Sequence, residues 1–254
     1  MSECACATAQ SLDAADAVRE TDNSATDSPA WTAVLSLAMG VFGLVTAEFL
    51  PASLLTPIAA DLGISNGAAG QMVTATAGVG IVAGVAMPIV TRRLDRRLVM
   101  WSLTTLLVVS SLLAAAANGL AMLLAARLLL GVGIGGFWSM MAAMAMRLVP
   151  ERLVPRALSI IFTGVSVATV SAAPVGAYLG GLLGWRTVFV LSAAIGVATL
   201  LAQMLTIPKL PPQNVPSIRT LFNLLGRPSI RLVLITILLS ISGHFAGFTY
   251  IRPF

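Results

Sequence analysis

This sequence has little charge. Only 10% of its 254 residues are charged while 57% are hydrophobic, and a soluble domain of that size could not cover its surface with so few polar side chains. Histidine occurs once and cysteine twice, too few for a zinc cluster or a disulfide framework. No Ser, Cys or His stands at a spacing that would build a nucleophile and its base, so the chain is read as neither an enzyme nor a cofactor protein. The net charge of +5 could suit nucleic acid. However, the arginines fall in alternate loops and form no stripe interleaved with aromatics, so nucleic acid is not an expected partner.

What the sequence does have is long apolar runs of about 20 residues, the length that crosses ~30 Å of hydrocarbon. Bounded by charge, Pro and Gly, they predict spans at Thr32 to Leu55, Gly70 to Val90, Leu98 to Ala117, Leu120 to Met146, Ala157 to Leu183, Val188 to Ile207 and Arg231 to Tyr250. The expected fold class is therefore an all-α, multi-pass membrane protein embedded in a lipid bilayer. Arg92, Arg93, Arg96 and Arg97 follow the second span, Arg147, Arg152 and Arg156 the fourth, and Lys209, Arg219, Arg227 and Arg231 the sixth. The opposite loops hold little charge beyond Asp61, Arg186 and Arg252. The positive-inside rule then places the arginine-rich loops and the N-terminus in the cytoplasm, and the chain in the cell inner membrane.

Four segments are expected. Residues 1–30, with Cys4, Cys6 and six acidic residues, read as a disordered cytoplasmic tail and lack the pattern of a secretory signal peptide. Residues 31–207 read as a six-helix bundle, and residues 208–230, with five prolines, as a linker. Residues 231–254 read as a seventh helix that starts a second, incomplete bundle.

Within the expected hydrocarbon zone lie Glu48, Arg127 and His244. A charge at mid-bilayer costs about 2.5 to 3.5 kcal/mol on insertion scales, so such residues face a watery cavity or pair together. Counted along their helices, Glu48 is roughly 14 Å from Pro57, Arg127 roughly 10 Å from Leu120 and His244 roughly 9 Å from Tyr250, a common level. The glycines at Gly131, Gly133 and Gly136 satisfy the letter of a dinucleotide fingerprint, but that motif works between a strand and a helix start, not inside a span. Close helix packing through small residues explains them, as it does Gly135 and the Gly176 and Gly180 pair. Phe137 and Trp138 are candidate contacts for a flat solute, with helix or lipid packing as the other reading, and Trp185 is expected as a membrane-interface anchor.

Several segments together resemble the major facilitator superfamily, in its proton-coupled drug and metabolite efflux branch. In the first span they are Glu48-Phe-Leu-Pro51-Ala-Ser-Leu-Leu-Thr-Pro57, and in the fourth Arg127-Leu-Leu-Leu-Gly131-Val-Gly133-Ile-Gly135-Gly136-Phe-Trp138. The fifth carries Ala173-Pro174-Val-Gly176-Ala-Tyr-Leu-Gly180-Gly181, similar to the antiporter signature with Ala173 in place of glycine. The loop motif after the second span departs further, retaining Asp95, Arg96 and Arg97 but not the leading glycine. Glu48-Phe-Leu-Pro, Gly135-Gly-Phe-Trp, Met146-Arg-Leu-Val-Pro and Phe248-Thr-Tyr-Ile-Arg-Pro resemble the subgroup that exports purine ribonucleosides.

The resemblance implies the N-terminal half of the facilitator fold plus a seventh helix, with the first, fourth and seventh helices lining a central cavity. It implies efflux of a small solute by proton antiport, with Glu48 carrying the proton, Arg127 holding Glu48 ionised until protonation frees it, and His244 nearby. Transport would need the missing C-terminal helices or a complementary bundle. Two alternatives stay open: drug or sugar efflux on the same motifs, and a truncated membrane remnant or partner subunit that transports nothing.

Overall fold

In the computed structural model, residues 29–211 and 226–250 are described, with side chains up to Gly243. Cys4, Cys6, most of the expected linker and Arg252 lie outside the described residues, as does the side chain of His244. The described chain forms α1 (Trp31–Leu62), α2 (Asn66–Val90), α3 (Arg96–Ala115), α4 (Leu120–Leu148), a 3-10 turn (Glu151–Leu153), α5 (Val154–Leu183), α6 (Trp185–Thr206) and α7 (Pro228–Tyr250). The first six helices are each long and apolar enough to cross a membrane.

The helix ends are set by caps more than by prolines. Pro51 and Pro57 both lie inside α1, where neighbouring helices can re-satisfy the carbonyls they free. α1 therefore runs on past the expected end at Leu55 and stops at Gly63, whose φ of +62° suits the left-handed cap that glycine adopts without strain. Ser65 then caps α2, accepting from the Ala68 amide at 3.1 Å, so the helix begins before Gly70. Asp95 caps α3 in the same way through the Arg97 amide at 2.9 Å. Gly184, at φ +82°, turns α5 directly into α6, which starts at Trp185 and not Val188.

Six helices pack as one unit, and the pattern has an internal symmetry. α1 packs on α5 and α2 on α4, while α3 contacts α6 and α4, and α1 contacts α6. Exchanging the first three helices for the last three swaps these pairings two by two and maps α3–α6 onto itself, which is the arrangement of two three-helix repeats. Glycines set the closest crossing. A β-carbon on Gly131 would lie 2.6 Å from the Thr76 carbonyl, and one on Gly135 would overlap the Gly80 carbonyl, so α4 lies against the backbone of α2. Across α1 and α5, Gly176 admits Leu50 and Ser53, and Gly180 admits Leu54.

Hydrogen bonds tie α3 to α6 inside the bundle. Thr104 Oγ1 donates to Gln203 Oε1 at 2.8 Å, and the Ser111 and Ser192 hydroxyls are 3.3 Å apart. At the arginine-rich end, residues 208–211 remain attached to the bundle and are not linker. The Arg96 amide donates to the Leu210 carbonyl at 3.1 Å, the Leu210 amide donates to Asp95 Oδ1 at 3.2 Å, and Arg147 Nη1 reaches the Pro211 carbonyl at 2.9 Å. The bundle forms one compact unit and the segment containing α7 another, with the division after Pro212. α7 begins at Pro228, three residues before the expected Arg231.

Candidate functional site

The buried apolar residues fall into two clusters, and the boundary between them locates the site. On α1 the first cluster ends at Ala47 and the second begins at Leu50, while on α4 the second ends at Ala126 and the first begins at Leu130. Glu48 and Arg127 both sit in that gap.

Arg127 is 2% exposed, a depth at which a guanidinium needs partners. Its Nη1 donates to the Ala47 carbonyl at 2.8 Å, and its Cζ lies 5.1 Å from the centroid of the Phe189 ring on α6. The Ala47 carbonyl is free for a simple reason. In an α-helix it would accept from the amide four residues on, and that residue is Pro51, which has no N–H. The proline in α1 thus creates the acceptor that holds the arginine of α4. Arg127 Nε is buried without a hydrogen-bond partner.

Glu48, the next residue on α1, is half-buried and opens onto a groove of about 500 Å³ between α1, α2 and α4. The groove is lined also by Thr76, Gly80, Gly84, Ile134, Gly135, Trp138 and Ser139. Glu48 and Arg127 are expected to interact directly or through water; they form no direct ion pair. Among the described residues the pair within 4.0 Å joins Arg186 to Asp61. Arg127 binds the backbone one residue before Glu48, at the carbonyl that Pro51 leaves without its helical donor.

The two aromatic candidates separate. Phe137 is 1% exposed and packs into the core against Gly40, so it does not reach the groove. Trp138 is 39% exposed, lines the groove and stands 6.0 Å from the Phe162 ring at 43°. Pro174 lies inside α5 and Gly176 and Gly180 face α1. Asp95 serves as the α3 cap and as the acceptor for Leu210, Arg96 reaches Thr91 Oγ1 at 3.4 Å, and Arg97 stacks 4.2 Å over the Trp101 ring.

One polar cluster was not anticipated. Trp185 is 5% exposed, not an interface anchor, and its Nε1 donates to Asp61 at 3.2 Å. Arg186 pairs with the same carboxylate, donates to the Ala117 carbonyl at 3.1 Å and lies 4.3 Å over the Trp185 ring. This knot joins the end of α1, the α3–α4 turn and the start of α6. The signal available in the sequence was that Asp61 and Arg186 are oppositely charged and lie on the same, otherwise sparsely charged side of the membrane.

Comparison with known proteins agrees with this architecture. Residues 35–254 match the model of the Major Facilitator Superfamily. The purine ribonucleoside efflux pump NepI of Salmonella typhimurium and that of Salmonella typhi are each 46% identical over 225 residues, covering 89% of this chain and 57% of the relative. The chain thus spans a little over half the length of these relatives. Among solved structures, a POT family transporter in complex with 5-aminolevulinic acid superposes with a TM-score of 0.63 at 15% identity, over 85% of this chain and 47% of the other. A bacterial homolog of the human lysosomal transporter Spinster, inward-facing and unoccupied, gives 0.61 at 19% identity, over 75% and 46%. At such identities the two structures speak for the fold alone. With its paired three-helix repeats, six spanning helices and family match over most of its length, this chain belongs to the major facilitator superfamily of membrane transporters.

Proposed function

We propose that this chain contributes one half of a proton-driven efflux transporter for a small, uncharged solute, with purine ribonucleosides as the candidate substrates. The observation that carries the reading is Glu48, an acidic side chain deep in a span that opens onto a groove instead of being sealed in the core. An ionisable group is retained at that depth at a cost, and alternating protonation is what such a group supplies. The 46% identity to pumps named for purine ribonucleoside efflux supports the substrate class. Glu48 would exchange a proton for a hydrogen-bond donor of the solute, and Arg127, fixed on the Ala47 carbonyl, would keep positive charge beside it. The arginine-rich end would face the cytoplasm and the groove would open to alternate sides as the two halves rock.

The test is proton release on adding a purine ribonucleoside to the transporter completed by its second half, in detergent, followed with a pH dye for the wild type and for Glu48→Gln. Release is expected from the first and not from the second. Equal release from both would remove Glu48 from the mechanism and leave His244 as the next candidate.

A further inference from the structure

The groove that holds Glu48 has one wall the mechanism does not use. Trp138 is 39% exposed beside a carboxylate, and a lipid-facing surface would not carry that carboxylate without large cost. The groove is therefore a solute or water surface, and the indole is part of it. Its plane is braced from α5 by Phe162 at 6.0 Å. Gly80, Gly84 and Gly135 also line the groove and, lacking side chains, add no bulk to it. The Thr76 and Ser139 hydroxyls donate to the Met72 and Gly136 carbonyls at 2.9 and 2.8 Å, and Glu48 is the ionisable side chain among the residues that line the groove.

We propose that Trp138 is the specificity-determining residue of this groove: a flat bicyclic base stacks on the indole while a hydroxyl or amine donor of the same solute meets Glu48. The inference rests on the functional reading above and narrows it. A carboxylate only accepts hydrogen bonds, so it selects solutes with donors and repels anions. The indole offers a large π-face that rewards a purine over a smaller pyrimidine. The preferred ligand is thus a neutral purine nucleoside and not its phosphate.

Binding of radiolabelled adenosine to the transporter completed by its second half, purified in detergent, tests this, with uridine and adenosine monophosphate as competitors. The wild type should hold adenosine several-fold better than uridine and ignore the monophosphate. Base stacking on an aromatic side chain is typically lost tenfold or more on truncation, so Trp138→Leu should weaken adenosine by about that factor and erase the purine preference, while Trp138→Phe keeps most of it. Adenosine should also quench the emission of the wild type, which has four tryptophans in this chain, and leave that of Trp138→Phe unchanged; this readout does not depend on the leucine variant folding. Purine preference that survives in a folded Trp138→Leu protein overturns the proposal, and so does a wild type that binds no adenosine. In either case Glu48-dependent proton release with another solute would leave the transport reading standing.

Discussion

Pro51 and Arg127 are a functional pair although their side chains need not touch. The proline removes the amide that would have used the Ala47 carbonyl, and Arg127 Nη1 takes that carbonyl at 2.8 Å. Helix α1 is thereby fastened to α4 one residue from the carboxylate that faces the groove.

A double-mutant cycle tests this pairing. Arg127→Ala should destabilise the protein by about 1 to 3 kcal/mol, since it strands a buried carbonyl. In a Pro51→Ala background the helix supplies its own amide, and the same arginine change should cost less, with a coupling of about 1 kcal/mol. Denaturation in detergent gives the four stabilities, and simple additivity would break the proposed link.

The glycines of α2 and α4 are predicted to be unequal. Gly135 lies against the Gly80 carbonyl with no room for a β-carbon, whereas one at Gly84 would meet nothing nearer than the Gly135 carbonyl at 3.6 Å. Gly135→Ala should therefore cost about 1 to 3 kcal/mol through overpacking. Gly84→Ala should leave the unfolding midpoint within a few degrees of wild type; matching losses in the two variants would contradict the packing described here.

Asp95 Oδ1 accepts from two amides, those of Arg97 and Leu210. Asp95→Ala should cost about 1 to 2 kcal/mol, as for other helix caps. It should also expose the chain near Leu210 to protease in detergent. Asp95→Asn keeps an acceptor oxygen and should restore most of the protection, and an alanine variant cut no faster than wild type would argue against the attachment.

Orientation is open to direct measurement. With Cys4 and Cys6 removed, a single cysteine at Asn66 or Asn118 should react with an impermeant thiol reagent applied from the periplasm, and one at Arg96 should not. Labelling of the Arg96 site from that side would invert the topology drawn from the arginine loops.

The spans, their number and the level of Glu48 and Arg127 were legible in the sequence, because apolar length and scarce charge are dictated by the bilayer. Helix ends were read short where proline was taken as a stop: Pro57 lies within α1, and the true terminator is Gly63 with its positive φ. Phe137 and Trp138 are adjacent in sequence, but α-helical geometry turns them about 100° apart, so one enters the core and the other the groove. Charge complementarity and common depth suggested that Glu48 and Arg127 meet directly or through water, while the acceptor created by Pro51 required counting four residues back along a helix. Asp61 and Arg186 were seen only as loop charges, since nothing local announces a contact between residues so far apart in the chain.

The attachment of Leu210 and Pro211 also makes one carboxylate serve two elements far apart in the chain. Residues 208–211 follow α6, yet they are held by the α2–α3 loop and by Arg147. Asp95 caps the start of α3 and accepts from the Leu210 amide with the same Oδ1. Fraying at the start of α3 and release of residues 208–211 are therefore coupled through a single oxygen atom.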